Sequence, residues 1–183
     1  MPTAVAKLFE DKFAKDGGGG NPNHDELGRF ASGGGWQAKK KNADVAAGRV
    51  AAAGHESSVY SNPKSGVVAI YSNTDGKIHI NSSHKFWSDP EGNMKKMGPE
   101  GTKYFSSSDP AHVINHEMGH AAYNNTPDNW MTLSHQDAAE EVSRYARMNP
   151  KEFVAETVAG RKAGRVFSPK VDQMFNQYAR PSS

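Results

Sequence analysis

An α+β fold, with a small antiparallel sheet packed beside a histidine-bearing helix and a helical carboxy-terminal half, follows from three observations. The segment DPAHVINHEMGHAAYN, Asp109 to Asn124, has the period of a partly buried helix. Before it, SGVVAIYS and KIHINSS alternate with the period of strands about an NTDG turn. After it, three stretches carry helix starts and helical stripes and no further strand signal.

Composition narrows the classes. The 183 residues suit one core of ordinary size. The apolar share of 36% is low, and with 18 glycines and 10 prolines it points to a compact domain carrying loose appendages. The absence of cysteine excludes disulfides and thiolate metal sites and leaves histidine and carboxylate chemistry. A formal charge of +2 is too mild to argue for a nucleic-acid partner, and Lys39-Lys40-Lys41 reads as a solvated helix face. No stretch has the length and apolarity of a membrane span, and charge interrupts MPTAVAKLFEDKF too often for a signal peptide. The expectation is a protein made and kept in the cytoplasm unless another assembly carries it out.

Residues 1–15 form a short amphipathic helix, with Val5, Leu8, Phe9 and Phe13 on one face, cut off by Gly17 to Gly20. A helix this short is marginal alone in water, so it docks on a partner or on its own domain. Residues 16–35 lack periodicity and are rich in Gly, Asn, Ser and Asp, a flexible linker in which His24 and Asp25 make no metal site. The domain proper runs over 36–183. It begins with WQAKKKNADVAAGRVAAA, residues 36–53, helical by propensity with Val45 and Val50 on a small-residue face and Gly54 as its stop.

In the hairpin that follows, Val68 and Ile70 alternate against Ile78 and Ile80, and His79 points the other way, to a cleft or to solvent. Residues 84–101 read as a short helix set in loop, walling a cleft, with Phe86 and Trp87 in the core.

The histidine-bearing helix has Asp109 as N-cap, Pro110 at its first position and Asn124-Asn125 as its stop; Val113, Ile114, Ala121 and Tyr123 supply its packing face. His116 and His120, four positions apart, point the same way one turn above the other. Neutral imidazoles so placed chelate a metal, and Glu117 can lean toward a water on the same ion. His112 lies on the same face, but two turns, about 11 Å, from His120, too far for three short bonds to one tetrahedral ion. It therefore lines the cleft or hydrogen-bonds a ligand.

Such a site needs a third protein ligand. Asn149-Pro150 opens a helix on which Glu152 and Glu156 lie four apart on one face, and either carboxylate could complete it. Upstream, SHQDAAEEVSRYARM places Ala138, Val142 and Tyr145 on one stripe; downstream, SPKVDQMFNQYAR places Val171, Met174, Phe175 and Tyr178 on a helix that closes the domain.

H-E-x-G-H at His116 to His120, followed by Y-A-R-x-N-x-x-E-F-x-A-E from Tyr145 to Glu156, resembles the gluzincin branch of the zincin-fold zinc metallopeptidases. The likeness, over residues 104 to 164, is closest to the catalytic domain of anthrax lethal factor and its phage-encoded or toxin-associated relatives. It implies one Zn2+ per chain held by His116, His120 and Glu152, with Glu156 orienting a ligating histidine. Val154 stands where relatives often carry a second aromatic. The resemblance also implies that an edge strand crosses the metal cleft and pairs with an extended protein or peptide substrate, and KIHINSS is the candidate. Separately, H-D-x-x-G-R-F-A at residues 24–31 resembles an element of head-morphogenesis and other structural proteins of tailed bacteriophages. That makes a phage structural protein a candidate partner for residues 1–15, and incorporation into a virion a route out of the cytoplasm.

The implied chemistry is hydrolysis of peptide bonds by a metal-activated water. Glu117 acts as general base, and Tyr145 donates a hydrogen bond to the oxyanion. Three classes follow: a phage- or prophage-encoded zinc endopeptidase, a virion structural or docking protein whose metal site is auxiliary, and a toxin-like metalloprotease effector.

Overall fold

Alanine-rich sequence forms the first helix, and a glycine beyond reach of a β-carbon penalty ends it. In the computed structural model, which describes residues 34–124, 130 and 133–180, α1 spans Gly34–Ala52. Gly54 closes it at a left-handed φ of 78°, with His55 N–H returning to the Val50 carbonyl. The expected helix at 1–15, and the expected linker at 16–35 as far as residue 33, lie outside the described residues. The chain divides into two units, one reaching Ile70 and including Lys77–Asp89, the other made of Tyr71–Gly76 and Pro90 onward. Among the described residues no helix is long and apolar enough to cross a membrane.

In the first unit, α1 buries Ala43, Ala46 and Val50, a stripe spaced at i, i+3, i+7, while Val45, expected on that stripe, stands off it and is half exposed. The expected hairpin forms from β2 (Ala69–Tyr71) and β3 (Ile78–Asn81), with Gly76 at φ 71° in the turn and its N–H on the Ser72 carbonyl. Val68, Ile78 and Ile80 are fully buried.

A further strand, β1 (Ser57–Tyr60), pairs in parallel with the other side of β3, Ser57 opposite Ile78 through Tyr60 opposite Asn81. Its sequence, SSVY, has no apolar alternation to announce it. Two expectations change as a result. The sheet is mixed rather than wholly antiparallel, and β3, in the order β1-β3-β2, is central, so KIHINSS is not a free edge. His79 is half buried and meets Ser58 Oγ across the β1–β3 pair at 2.6 Å. Phe86 and Trp87, in a 3-10 turn at Lys85–Ser88, are core residues, edge to face at 5.1 Å.

The second unit is helical: α2 (Pro90–Met97), α3 (His112–Ala121), α4 (Leu133–Val142), α5 (Pro150–Lys162) and α6 (Pro169–Tyr178). Its core joins Ala138, Val142, Phe153, Val171, Met174 and Tyr178, so most of the two expected stripes is buried, with Phe175 only partly buried against it and Tyr145 lying beyond the end of α4. Helix α5 begins as its sequence dictates: Asn149 caps it, accepting the Glu152 N–H at 2.9 Å, and Pro150 follows.

Two boundaries differ from expectation. Helix α3 starts at His112, because Asp109 is spent on a turn, its side chain taking the Ala111 N–H and its carbonyl the His112 N–H. Helix α4 stops at Val142 instead of running on through Met148, because the Arg144 and Tyr145 N–H groups donate to the carbonyls of Lys103 and Tyr104. Lys103 adopts a left-handed φ of 54° in making that pairing.

Candidate metal centre

The site is built where α3 and α5 cross. Gly119, between the two histidines of H-E-M-G-H, lets the helices approach: a β-carbon there would stand 2.7 Å from the Ala155 α-carbon and 2.9 Å from its carbonyl oxygen. Four-residue spacing then turns His116 and His120 on α3 toward Glu152 and Glu156 on α5. All four are buried.

His116 Nε2 lies 3.0 Å and His120 Nε2 3.6 Å from the same Glu152 oxygen, Oε2, and the imidazoles meet edge to face at 4.7 Å. One ligand atom from each of His116, His120 and Glu152 falls within 4.8 Å of the others. A second group, His112, His116 and Glu156, satisfies the same spacing. Hydrogen bonding distinguishes the two. In the second, Glu156 Oε1 accepts from His112 Nε2 at 2.9 Å and His116 Nδ1 at 2.8 Å, while Oε2 accepts from Ser106 N–H at 2.7 Å and Ser143 Oγ at 2.9 Å. His112 Nδ1 is engaged by Ser107 Oγ at 3.0 Å. Both carboxylate oxygens of Glu156 and both nitrogens of His112 already have hydrogen-bond partners.

In the first group both nitrogens of His120 and Glu117 Oε1 have no hydrogen-bond partner among the described residues, although all are buried. Unsatisfied polar atoms are costly in an interior, and His120 Nε2, which faces Glu152 Oε2 at 3.6 Å without a hydrogen bond, marks a position built for something else to occupy. Two imidazoles and a carboxylate suit a divalent cation of intermediate softness. His116, His120 and Glu152 therefore form a His/Glu cluster fit to hold a metal ion.

Electrostatics agree with this division. Burial, seconded by His116, holds His120 well below the usual imidazole range, so the ring is neutral and one of its nitrogens keeps a lone pair. Burial also opposes a charge on His116, but the hydrogen bonds it donates to Glu152 and Glu156 outweigh burial and raise that imidazole to about 10. Burial would raise Glu156, yet His112 and His116 hold it below the ordinary carboxylate range. Burial pushes Glu117 up to about 7 against the opposing pull of His116 and of the Tyr71 N–H.

Glu117 is tethered on one side only. Its Oε2 accepts the Tyr71 N–H at 2.7 Å and lies 4.0 Å from His120 Nε2, leaving Oε1 unpartnered among the described residues. Tyr145 packs its ring 5.5 Å from His116 and 5.3 Å from Tyr104, and its buried hydroxyl likewise has no partner among the described residues. Burial, with Glu152 adding to it, raises Tyr145 and keeps that hydroxyl a donor.

Every residue singled out in the sequence for this site, His112, His116, Glu117, His120, Tyr145, Glu152 and Glu156, lies in this one region of the second unit. Sequence reading missed Ser106, Ser107 and Ser143, which surround Glu156 and His112, and the run S-S-S-D-P before the metal helix was the available signal. It also missed Tyr71, which acts through its backbone and leaves no signature in residue identity. No protein-family model matches this chain, and no curated protein or solved structure matches it either.

Proposed function

We propose that the protein is a zinc-dependent endopeptidase of the gluzincin type, with His116, His120 and Glu152 holding one Zn2+. The observation that carries this reading is the pairing of a buried His-His-Glu cluster with a buried carboxylate, Glu117, whose Oε2 lies 4.0 Å from His120 Nε2 and whose Oε1 has no partner among the described residues. Bound there, the ion would supply Lewis-acid polarisation of a scissile carbonyl and acidification of water.

The chain's own residues do the rest. Glu117, fixed by the Tyr71 N–H, takes a proton on Oε1 from the attacking water and delivers it to the leaving amine. Its raised pKa, about 7, suits a group that must both accept and return a proton near neutrality. Tyr145 donates its hydroxyl hydrogen to the developing oxyanion. Glu156 holds the Nδ1–H of His116, so that Nε2 offers its lone pair to the ion. The likeness of residues 24–31 to a tailed-phage element supports a phage or prophage setting, with a protein of the virion or host as substrate.

The test is zinc stoichiometry on purified protein, together with cleavage of a broad peptide library by the parent and by Glu117→Gln. One zinc per chain, with cleavage by the parent alone, is expected. Zinc without cleavage by either would leave a metal-binding protein in which residues 1–15 do the docking, and stoichiometric failure to bind any divalent ion would end the metal reading.

A further inference from the structure

We infer that His112 is a positioning residue of the metal centre: it locks the Glu156 carboxylate so that Glu156 in turn fixes the tautomer of His116 and aims its Nε2 at the metal position. The inference rests on the reading of His116, His120 and Glu152 as metal ligands.

A carboxylate offers about four acceptor positions. Glu156 fills them with donors from three different segments: Ser106 N–H, Ser143 Oγ, His112 Nε2 and His116 Nδ1. The two histidines share Oε1. On α3 they are one turn apart, so a single rigid helix delivers both N–H groups to that oxygen. Without His112, Oε1 keeps only His116 among the described residues.

His112 is itself keyed for the task. Ser107 Oγ accepts the Asp109 N–H at 3.4 Å and so turns its hydrogen toward His112 Nδ1, 3.0 Å away. Nδ1 is then the acceptor and Nε2 carries the hydrogen that goes to Glu156. Phe105 lies against the ring at 4.8 Å and fixes its rotation. The chain of contacts is Ser107 to His112 to Glu156 to His116, buried throughout. With Nδ1–H of His116 given to Glu156, Nε2 is the nitrogen that faces Glu152 Oε2, at 3.0 Å, and the one whose hydrogen a metal would replace. His112 thus acts on the metal without touching it.

The experiment measures zinc affinity by chelator competition, and the visible absorption of the cobalt(II) form, for the full chain and four variants: His112→Phe, His112→Gln, Glu156→Gln and the double variant His112→Phe/Glu156→Gln. Partners that orient a metal-ligating histidine typically contribute tenfold to a hundredfold in affinity, so His112→Phe is expected to weaken zinc by about 10- to 100-fold and to shift the cobalt band. His112→Gln, which retains an N–H donor, is expected to recover most of both. The double variant is expected to lie within about threefold of Glu156→Gln, because both changes break the same chain.

Parental affinity and an unshifted cobalt band in His112→Phe overturn the inference while leaving the metal centre intact. So does a double variant whose loss is the product of the single losses. A parent that binds no zinc overturns the metal centre and this inference with it. If His112→Phe does not fold, nitrogen-15 spectra of the zinc-loaded parent decide: a protonated Nδ1 and a metal-shifted Nε2 on His116 are expected, and the reverse assignment overturns the inference.

Discussion

The α-carbon of Ala155 lies 2.7 Å from the point where a β-carbon on Gly119 would stand. That approach sets the separation of α3 and α5, and the separation sets whether one carboxylate oxygen of Glu152 can reach both His116 and His120. The small residue in H-E-M-G-H is a packing requirement of the His/Glu cluster.

Gly119→Ala is therefore expected to lower stability. The obstructing atoms are backbone and cannot rotate away, so overpacking at about 1–3 kcal/mol outweighs the roughly 1 kcal/mol that alanine contributes as a helix former. Zinc affinity should fall with it as the helices separate. Thermal melts and chelator competition on the same sample check this; a variant with parental melting and affinity would show that the crossing does not set the site.

Glu152 and Glu156 should separate cleanly by metal content. Glu152→Ala removes a ligand and is expected to lose zinc as severely as His116→Ala or His120→Ala, whereas Glu156→Gln leaves the ligands and weakens binding by about 10- to 100-fold. Full zinc in Glu152→Ala, with loss in Glu156→Ala, would move the ion to the His112, His116 and Glu156 group.

The metal-free protein should carry a proton on His116 that a metal must displace. The two carboxylates raise this imidazole from 6.5 to about 10 against burial. A basic group with a raised folded pKa contributes stability in full below its unfolded pKa, and loses it as pH climbs through the folded one. Chelator-treated protein is thus expected to lose stability progressively from about pH 6.5 toward 10. Zinc binding at neutral pH should release protons, read as a dependence of the calorimetric heat on the ionisation enthalpy of the buffer. Heats that do not vary among buffers would count against a protonated His116.

The helices and most of the site were legible in the sequence because their signals are local. Four-residue spacing put His116 with His120 and Glu152 with Glu156 on helix faces, and Asn149-Pro150 announced the helix that brings the second pair back. Hydrogen-bond partners decided by tertiary geometry were not legible. The strand Ser57–Tyr60 has no apolar alternation, so its parallel pairing with β3 could not be foreseen, and β3 could not be recognised as central. The end of α4 at Val142 was hidden for the same reason: the Arg144 and Tyr145 amides are claimed by Lys103 and Tyr104, far off in sequence. For Glu152 against Glu156, spacing alone was neutral. Resemblance favoured Glu152, and the four donors gathered on Glu156 supply the independent physical reason.

Glu117 and Tyr145 should differ in what their loss does. Glu117→Gln keeps size and the Tyr71 tether but cannot accept a proton, so with zinc retained, turnover of a cleavable peptide is expected to fall by about a hundred- to ten-thousandfold. Tyr145→Phe removes one oxyanion donor, so kcat is expected to fall by at most about a hundred- to a thousandfold with KM nearly unchanged. Stability offers a second, independent check on the tyrosine. Its hydroxyl is buried without a partner among the described residues, so deleting it frees the fold of an unsatisfied group. Tyr145→Phe should then melt no lower than the parent while losing rate, a combination that a tyrosine held only for packing would not give. Unchanged kcat in Tyr145→Phe would remove the hydroxyl from the reaction, and an undiminished rate in Glu117→Gln would mean that this H-E-x-x-H performs no peptidase chemistry.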